Sequence, residues 1–162
     1  MNDRTTQQIR TLEELQLNAL PCLQQILYDG WILRFAEGYT KRANSVTPLY
    51  SGSQDLQTKI QRCEFLYNNF QLQSIFRLAN IPSLLKLDRA LDSMGYRQQD
   101  RVSVQLKTLS DRNYASSYPH VTISNQVSEE WLDSYVHAVN LSVQHWNTLS
   151  SWQLFPALLA ML

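Results

Sequence analysis

Tyr28-Asp-Gly-Trp-Ile-Leu-Arg-Phe-Ala-Glu-Gly-Tyr-Thr-Lys-Arg-Ala-Asn-Ser-Val46 is the stretch whose reading decides the fold. Asp29-Gly30 is a turn signal, since both residue types accept backbone conformations that others resist. Trp31 to Ala36 is rich in strand formers, Glu37-Gly38 punctuates it, and Tyr39 to Val46 follows. The expectation is two short antiparallel strands joined at Glu37-Gly38, the second stopped by Pro48.

Working outward toward the N-terminus, residues 1–10 are polar and read as a disordered tail. Order is expected from Thr11, because Thr11-Leu-Glu-Glu14 has capping-box form. Leu12, Leu15, Leu20, Leu23 and Ile26 then recur at helical spacing, with Pro21 opening a second turn or short helix. On the C-terminal side Ser51-Gly52-Ser53 is a loop, and Ser53 or Asp55 caps a helix carrying Leu56, Ile60, Cys63, Leu66 and Tyr67, ended by Asn68-Asn69. Gln73 to Leu78 reads as a strand. Pro82-Ser83 opens a helix with Leu84, Leu87, Leu91 and Met94, stopped by Gly95. Tyr96 to Leu109 has period-2 alternation, Val102, Val104 and Leu106 against Arg101, Ser103, Gln105 and Lys107, the pattern of a strand with one wet face. Ser110 to Pro119 reads as a linker, Val121 to Val127 as a short strand, and Ser128-Glu-Glu130 as a helix start. That element order predicts an α+β fold with a mixed sheet flanked by helices.

Composition bounds the function. A chain of 162 residues suits one core, and 44% apolar against 17% charged residues predicts folding. Lys+Arg and Asp+Glu are 14 each, so no basic field exists for a nucleic acid. Two cysteines are too few for a disulfide scaffold, and no Cys/His cluster has metal-ligand spacing. No apolar run approaches the roughly 18 residues that span a bilayer, and MNDRTTQQIR lacks a signal-peptide core, which points to a cytoplasmic protein. From Ser134 to Leu162 there is no Asp, Glu, Lys or Arg. Such a tail expects to be covered, and a homodimer is the simplest way.

The run Tyr28 to Val46 resembles the opening signature of a group within the GNAT superfamily of N-acetyltransferases. Leu87 to Leu109, with Met94-Gly-Tyr96 between helix and alternating strand, is similar to the end of a GNAT fold. The resemblance covers residues 11–147. It implies a two-domain acetyl-CoA-dependent enzyme of which this chain supplies the N-terminal portion: a degenerate GNAT-like domain at 11–110, then a linker, short strand and apolar tail at 111–162 beginning a truncated second domain. A working GNAT site needs a loop of the type Gln/Arg-x-x-Gly-x-Gly/Ala between its fourth strand and the next helix, so that backbone N–H groups reach the pyrophosphate. Here the matching place reads Thr47-Pro-Leu-Tyr-Ser-Gly-Ser-Gln54, with one glycine and a proline that lacks an N–H. No cofactor-binding residue carries over, and the portion is expected to be inactive alone. Family-like text continues through Trp131, Leu132, Tyr135, Leu141 and His145-Trp146 before the uncharged tail, a break that favours truncation or a lost reading frame near Ser150. The partner is then the missing C-terminal GNAT domain or a second copy. The alternative is a non-catalytic binding or oligomerisation module with the tail as interface.

Candidate site residues are few. Arg34, Lys41 and Arg42 lie on or beside the hairpin, where cations meet coenzyme phosphates or an acidic substrate, or stand as solvated strand charges. Asn44 and Ser45 precede the Pro48 break, where side-chain oxygens hold backbone or a ligand. Glu37 sits at a turn beside Tyr39, which leaves its carboxylate ordinary. His120, His137 and His145 are too scattered for a metal, although His137 and His145 are placed to share a helical face. Cys63 has only Arg62 as a cationic neighbour, so nucleophilic catalysis is unsupported.

Overall fold

The computed structural model describes residues 3–108, 127–141 and 145–151. Asp29 and Gly30, with φ of 42° and 83°, form the two-residue turn between β1 (Gln24–Tyr28) and β2 (Trp31–Phe35), which pair antiparallel from Tyr28↔Trp31 to Gln24↔Phe35. Thus the tight hairpin closes one turn earlier than the strand pattern predicts. Glu37 (φ 51°) and Gly38 (φ 74°) are also left-handed, yet they begin a longer loop containing a short 3-10 turn at Lys41–Ala43. β2 then pairs antiparallel with β3 (Val46–Pro48), completing a three-stranded sheet of order β1-β2-β3. The chain is mixed α/β, and Val46 also bridges in parallel to Phe76 through Val46 N to Ile75 O at 2.8 Å and Arg77 N to Val46 O at 2.9 Å. That bridge is all that the expected strand at Gln73 to Leu78 makes.

One sheet face carries Trp31, Leu33, Phe35 and Val46 against α2 (Leu56–Asn69) and α3 (Leu85–Ser93), which contribute Ile60, Cys63, Tyr67, Leu87 and Leu91 to a single core. Each such side chain stabilises the fold by about 1.5–3 kcal/mol on burial. Asp55 caps α2, its carboxylate accepting from Thr58 N at 3.0 Å, and α3 follows a 3-10 turn at Pro82–Leu84 and is stopped near Gly95 (φ 87°). Both helices lie where their caps and periodicity predict. Tyr67 ties α2 to the sheet: its hydroxyl donates to Arg34 O at 2.9 Å and accepts from Arg34 N at 3.2 Å.

Against the other face lies α1 (Asp3–Ala19), in which Leu17 is the buried residue. The helix already runs through residues 3–10, expected to be disordered, because Arg10 Nε donates to Leu49 O at 3.0 Å and Glu13 pairs with Arg77 at 2.6 Å, anchoring α1 to the chain after β3 and to the bridging segment. Leu23 precedes β1 and Ile26 lies within it, since pairing with β2 overrides the helical spacing they continue. Residues 97–108 form no strand. Their apolar positions are solvent-facing, Val102 at 81% and Leu106 at 73% exposure, because a period-2 pattern without a neighbouring ladder has nothing to bond. Further on, α4 (Glu129–Val139) starts at the expected place, Ser128 accepting from Trp131 N at 3.2 Å, and α5 (Trp146–Ser151) follows. The expected linker at 110–119, strand at 121–127 and apolar tail from Trp152 lie outside the described residues. Among the described residues no helix is long and apolar enough to cross a membrane.

Candidate functional site

The junction from β3 to α2 is where the sequence places its departure from a phosphate-binding loop, and the hairpin turn folds directly onto it. Tyr50 N donates to Gly30 O at 3.0 Å, and a Cβ on Gly30 would stand 2.6 Å from Tyr50 O, so only glycine lets turn and loop meet. This contact carries the Asp29 carboxylate into the loop. Oδ1 accepts from Ser53 N at 2.8 Å and Ser53 Oγ at 3.2 Å, while Oδ2 accepts from Gln54 N at 3.1 Å and pairs with Lys59 Nζ at 2.9 Å. Lys59 is buried, donates also to Asp29 O at 2.7 Å, and stands 4.0 Å over the Trp31 ring. The donated Ser53 N–H, the Lys59 ammonium and the Gln54 N–H, in that order, hold the Asp29 carboxyl far below the usual carboxylate range. A carboxylate so placed is a poor base. Gly52 is required here too, because a Cβ would fall 2.0 Å from Asp29 Oδ2.

The residues singled out from sequence do not converge on this junction. Arg34 is buried, and its guanidinium donates to Leu20 O, to Arg42 O at 3.3 Å and to Cys22 Sγ at 3.3 Å. Arg42 is exposed, as is Lys41, which pairs with Asp100 and reaches Gln99 Oε1 at 3.4 Å. Asn44 is buried and committed to backbone: Oδ1 accepts from Ala36 N at 2.7 Å and Gly38 N at 3.1 Å, and Nδ2 donates to Thr40 O at 2.9 Å. It thereby holds the loop that the tight-hairpin expectation overlooked. Arg34 and Arg42 are brought together only through a carbonyl. Lys41 faces elsewhere.

A second polar group lies where the C-terminal helices meet the 36–39 turn. Tyr39 Oη and Tyr135 Oη are 2.9 Å apart, the His145 ring lies 5.7 Å from that of Tyr39, and Thr148 Oγ1 donates to Ala36 O at 3.3 Å. Burial and the shared hydrogen bond push the Tyr39 hydroxyl up, so it stays protonated and can donate. His137 lies in the last turn of α4, whereas His145 comes after that helix has ended at Asn140, so the two do not share a helical face. Cys63 is fully buried and its thiol is pushed up to about 12 by desolvation, which makes it inert. Among the described residues no group of three or more His, Cys, Asp or Glu is placed to hold a metal. Sequence reasoning missed Asp29 and Lys59 as a pair. The available signal was a turn aspartate, a lone loop glycine and a lysine on the first turns of the following helix.

The described residues form a mixed α/β chain with a strand–loop–helix junction. The family model described as "Probable histone acetyltransferase Rv0428c C-terminal" matches residues 6–152, nearly the whole chain. The chain belongs to that family, whose name is that of a probable acetyltransferase. No curated protein and no solved structure matches it.

Proposed function

We propose that this chain is a GNAT-like portion of an acetyl-CoA-dependent N-acetyltransferase, one that does not itself hold the coenzyme. The family name supports the reaction class, transfer of an acetyl group to an amine. The observation that carries the second half of the reading is the Asp29 carboxylate at the β3–α2 loop. In the GNAT resemblance this loop corresponds to the pyrophosphate-binding place, where free backbone N–H groups are needed. Here the Ser53 and Gln54 N–H groups donate to an internal anion, Lys59 neutralises that same anion, and Pro48 offers no donor. A pyrophosphate would meet a carboxylate rather than donors. These residues do not fit the coenzyme.

The coenzyme site then belongs to a second GNAT domain, which follows this portion in the longer enzyme. The matching family is described as the C-terminal part of the protein after which it is named, so the N-terminal position of this portion rests on the GNAT resemblance alone. Free thiols at Cys22 and Cys63 suit a reducing, cytoplasmic setting. Assaying the chain alone for coenzyme A release from acetyl-CoA with polyamine or lysine-rich peptide acceptors tests the reading: no turnover above the uncatalysed rate is expected, and acceptor-dependent turnover would overturn it.

A second reading is favoured by one observation, the lack of any charged residue from Ser134 to Leu162. In it the tail is an interface, most simply between two copies of the chain.

A further inference from the structure

We infer that the sheet face beneath α1 is a binding site for a small oxyanion, a carboxylate or a phosphate group. The inference is independent of the acetyltransferase reading and starts from register. Leu33 and Val46 pair and both point into the core, so Arg34, Ser45 and Thr47 point to the opposite face, the one α1 covers. Phe76 bridges Val46 and packs in the core, which puts Arg77 on the α1 side as well. Buried Arg34, Ser45 and Thr47 and partly exposed Arg77 thus share one face.

The layer holds unmatched polar atoms. Ser45 and Thr47, at 1% and 2% exposure, have hydroxyls with no hydrogen-bond partner, and Gln16 Nε2, reaching in from α1, is buried and likewise unmatched. All three can donate, the amide only so and the hydroxyls as well as accepting. Arg34 is served by neutral atoms alone, the Leu20 and Arg42 carbonyls and the Cys22 sulfur, while Arg77 has Glu13 Oε2 at 2.6 Å and Gln16 Oε1 at 2.9 Å. Arg34, unlike Arg77, has no anionic partner, and three buried polar atoms of the layer are unmatched. An oxyanion supplies partners to both at once. α1 carries one fully buried apolar residue, Leu17, and is tied through Arg10 to Leu49 O and through Glu13 to Arg77.

The test titrates the whole chain with sodium phosphate and, separately, sodium acetate, against sodium chloride at matched ionic strength, reading Tm and calorimetric heat. Saturable stabilisation by either anion is expected, and which of them acts distinguishes a phosphate from a carboxylate ligand. Ser45→Ala/Thr47→Val should weaken that binding by about tenfold or more, since two donors to a charged group are lost. Gln16→Leu, on the helix and outside the sheet, should weaken it in the same direction and decides the matter if the double variant does not fold. A flat response to both anions, or a saturable response that these variants leave untouched, overturns the inference; in the flat case the donors are served by water alone.

Discussion

Asp29 does two things at the residue scale: it forms a left-handed turn and its carboxylate fills a nest of N–H donors across the loop. Because its pKa is depressed in the folded state, its contribution is present above the ordinary carboxylate pKa near 3.9 and is lost as pH falls through the lower folded value. Asp29→Asn should lower Tm at neutral pH and flatten the acid limb of the stability profile, measured by thermal melts from pH 7 downward; an unchanged acid limb would separate Asp29 from that dependence. Tyr67 offers a cleaner magnitude. Tyr67→Phe removes the donor to Arg34 O within the core and should cost about 1–3 kcal/mol in urea unfolding, with the fold retained. Cys63, buried and pushed up to about 12, should stay unlabelled by iodoacetamide until the protein unfolds, a mass-spectrometric observation. The inertness of Cys63 was legible from its place on an apolar helix face, whereas the roles of Asp29 and Tyr67 are not visible in the local sequence. Asp29 and Lys59 meet only because a turn folds onto a loop, and a reading that proceeds along the chain has no access to that encounter.

Among the elements, two Xaa-Gly pairs with left-handed φ compete to be the hairpin turn, and local propensity does not choose between them. Asp29-Gly30 wins because its closure presents Tyr28 opposite Trp31 and lets Gly30 abut Tyr50. Glu37-Gly38 is diverted by Asn44, whose amide satisfies the backbone of the wider loop. Helices α2 and α3 were legible at both ends because their caps and stops are local chemistry, an aspartate accepting from the first turn and a glycine at positive φ. Strand content at 96–108 was not, since alternation records an amphipathic preference and says nothing of a partner. Gly30→Ala and Gly95→Ala make a matched pair of predictions. Both positions have positive φ, but Gly30 meets backbone at 2.6 Å whereas Gly95 has open space. Gly95→Ala should cost about 1 kcal/mol, and Gly30→Ala distinctly more, with a measurable loss of the β3–α2 junction in amide exchange.

On the scale of the whole molecule, the described parts are an antiparallel sheet with its core against α2 and α3, a polar layer under α1, and helices α4 and α5 meeting the 36–39 turn through Tyr135 and Thr148. Mixed α/β content was readable from the succession of patterns along the chain and the acetyltransferase resemblance from the run Tyr28 to Val46, and the family match over residues 6–152 agrees with the latter at the level of the family's name. If the tail is an interface, removing residues 152–162 should convert an oligomer to a monomer in light scattering; a full-length chain that is already monomeric sets that reading aside. In the proposed reading, the internal Asp29 carboxylate stands where a coenzyme pyrophosphate would bind. Calorimetric titration of acetyl-CoA into the intact chain, with Tm as the cross-check, tests it most directly. No saturable heat and no rise in Tm are expected. Micromolar binding, with the stabilisation of about 2.7 kcal/mol that a hundredfold excess over Kd brings, would contradict it and make this chain an acetyltransferase in its own right.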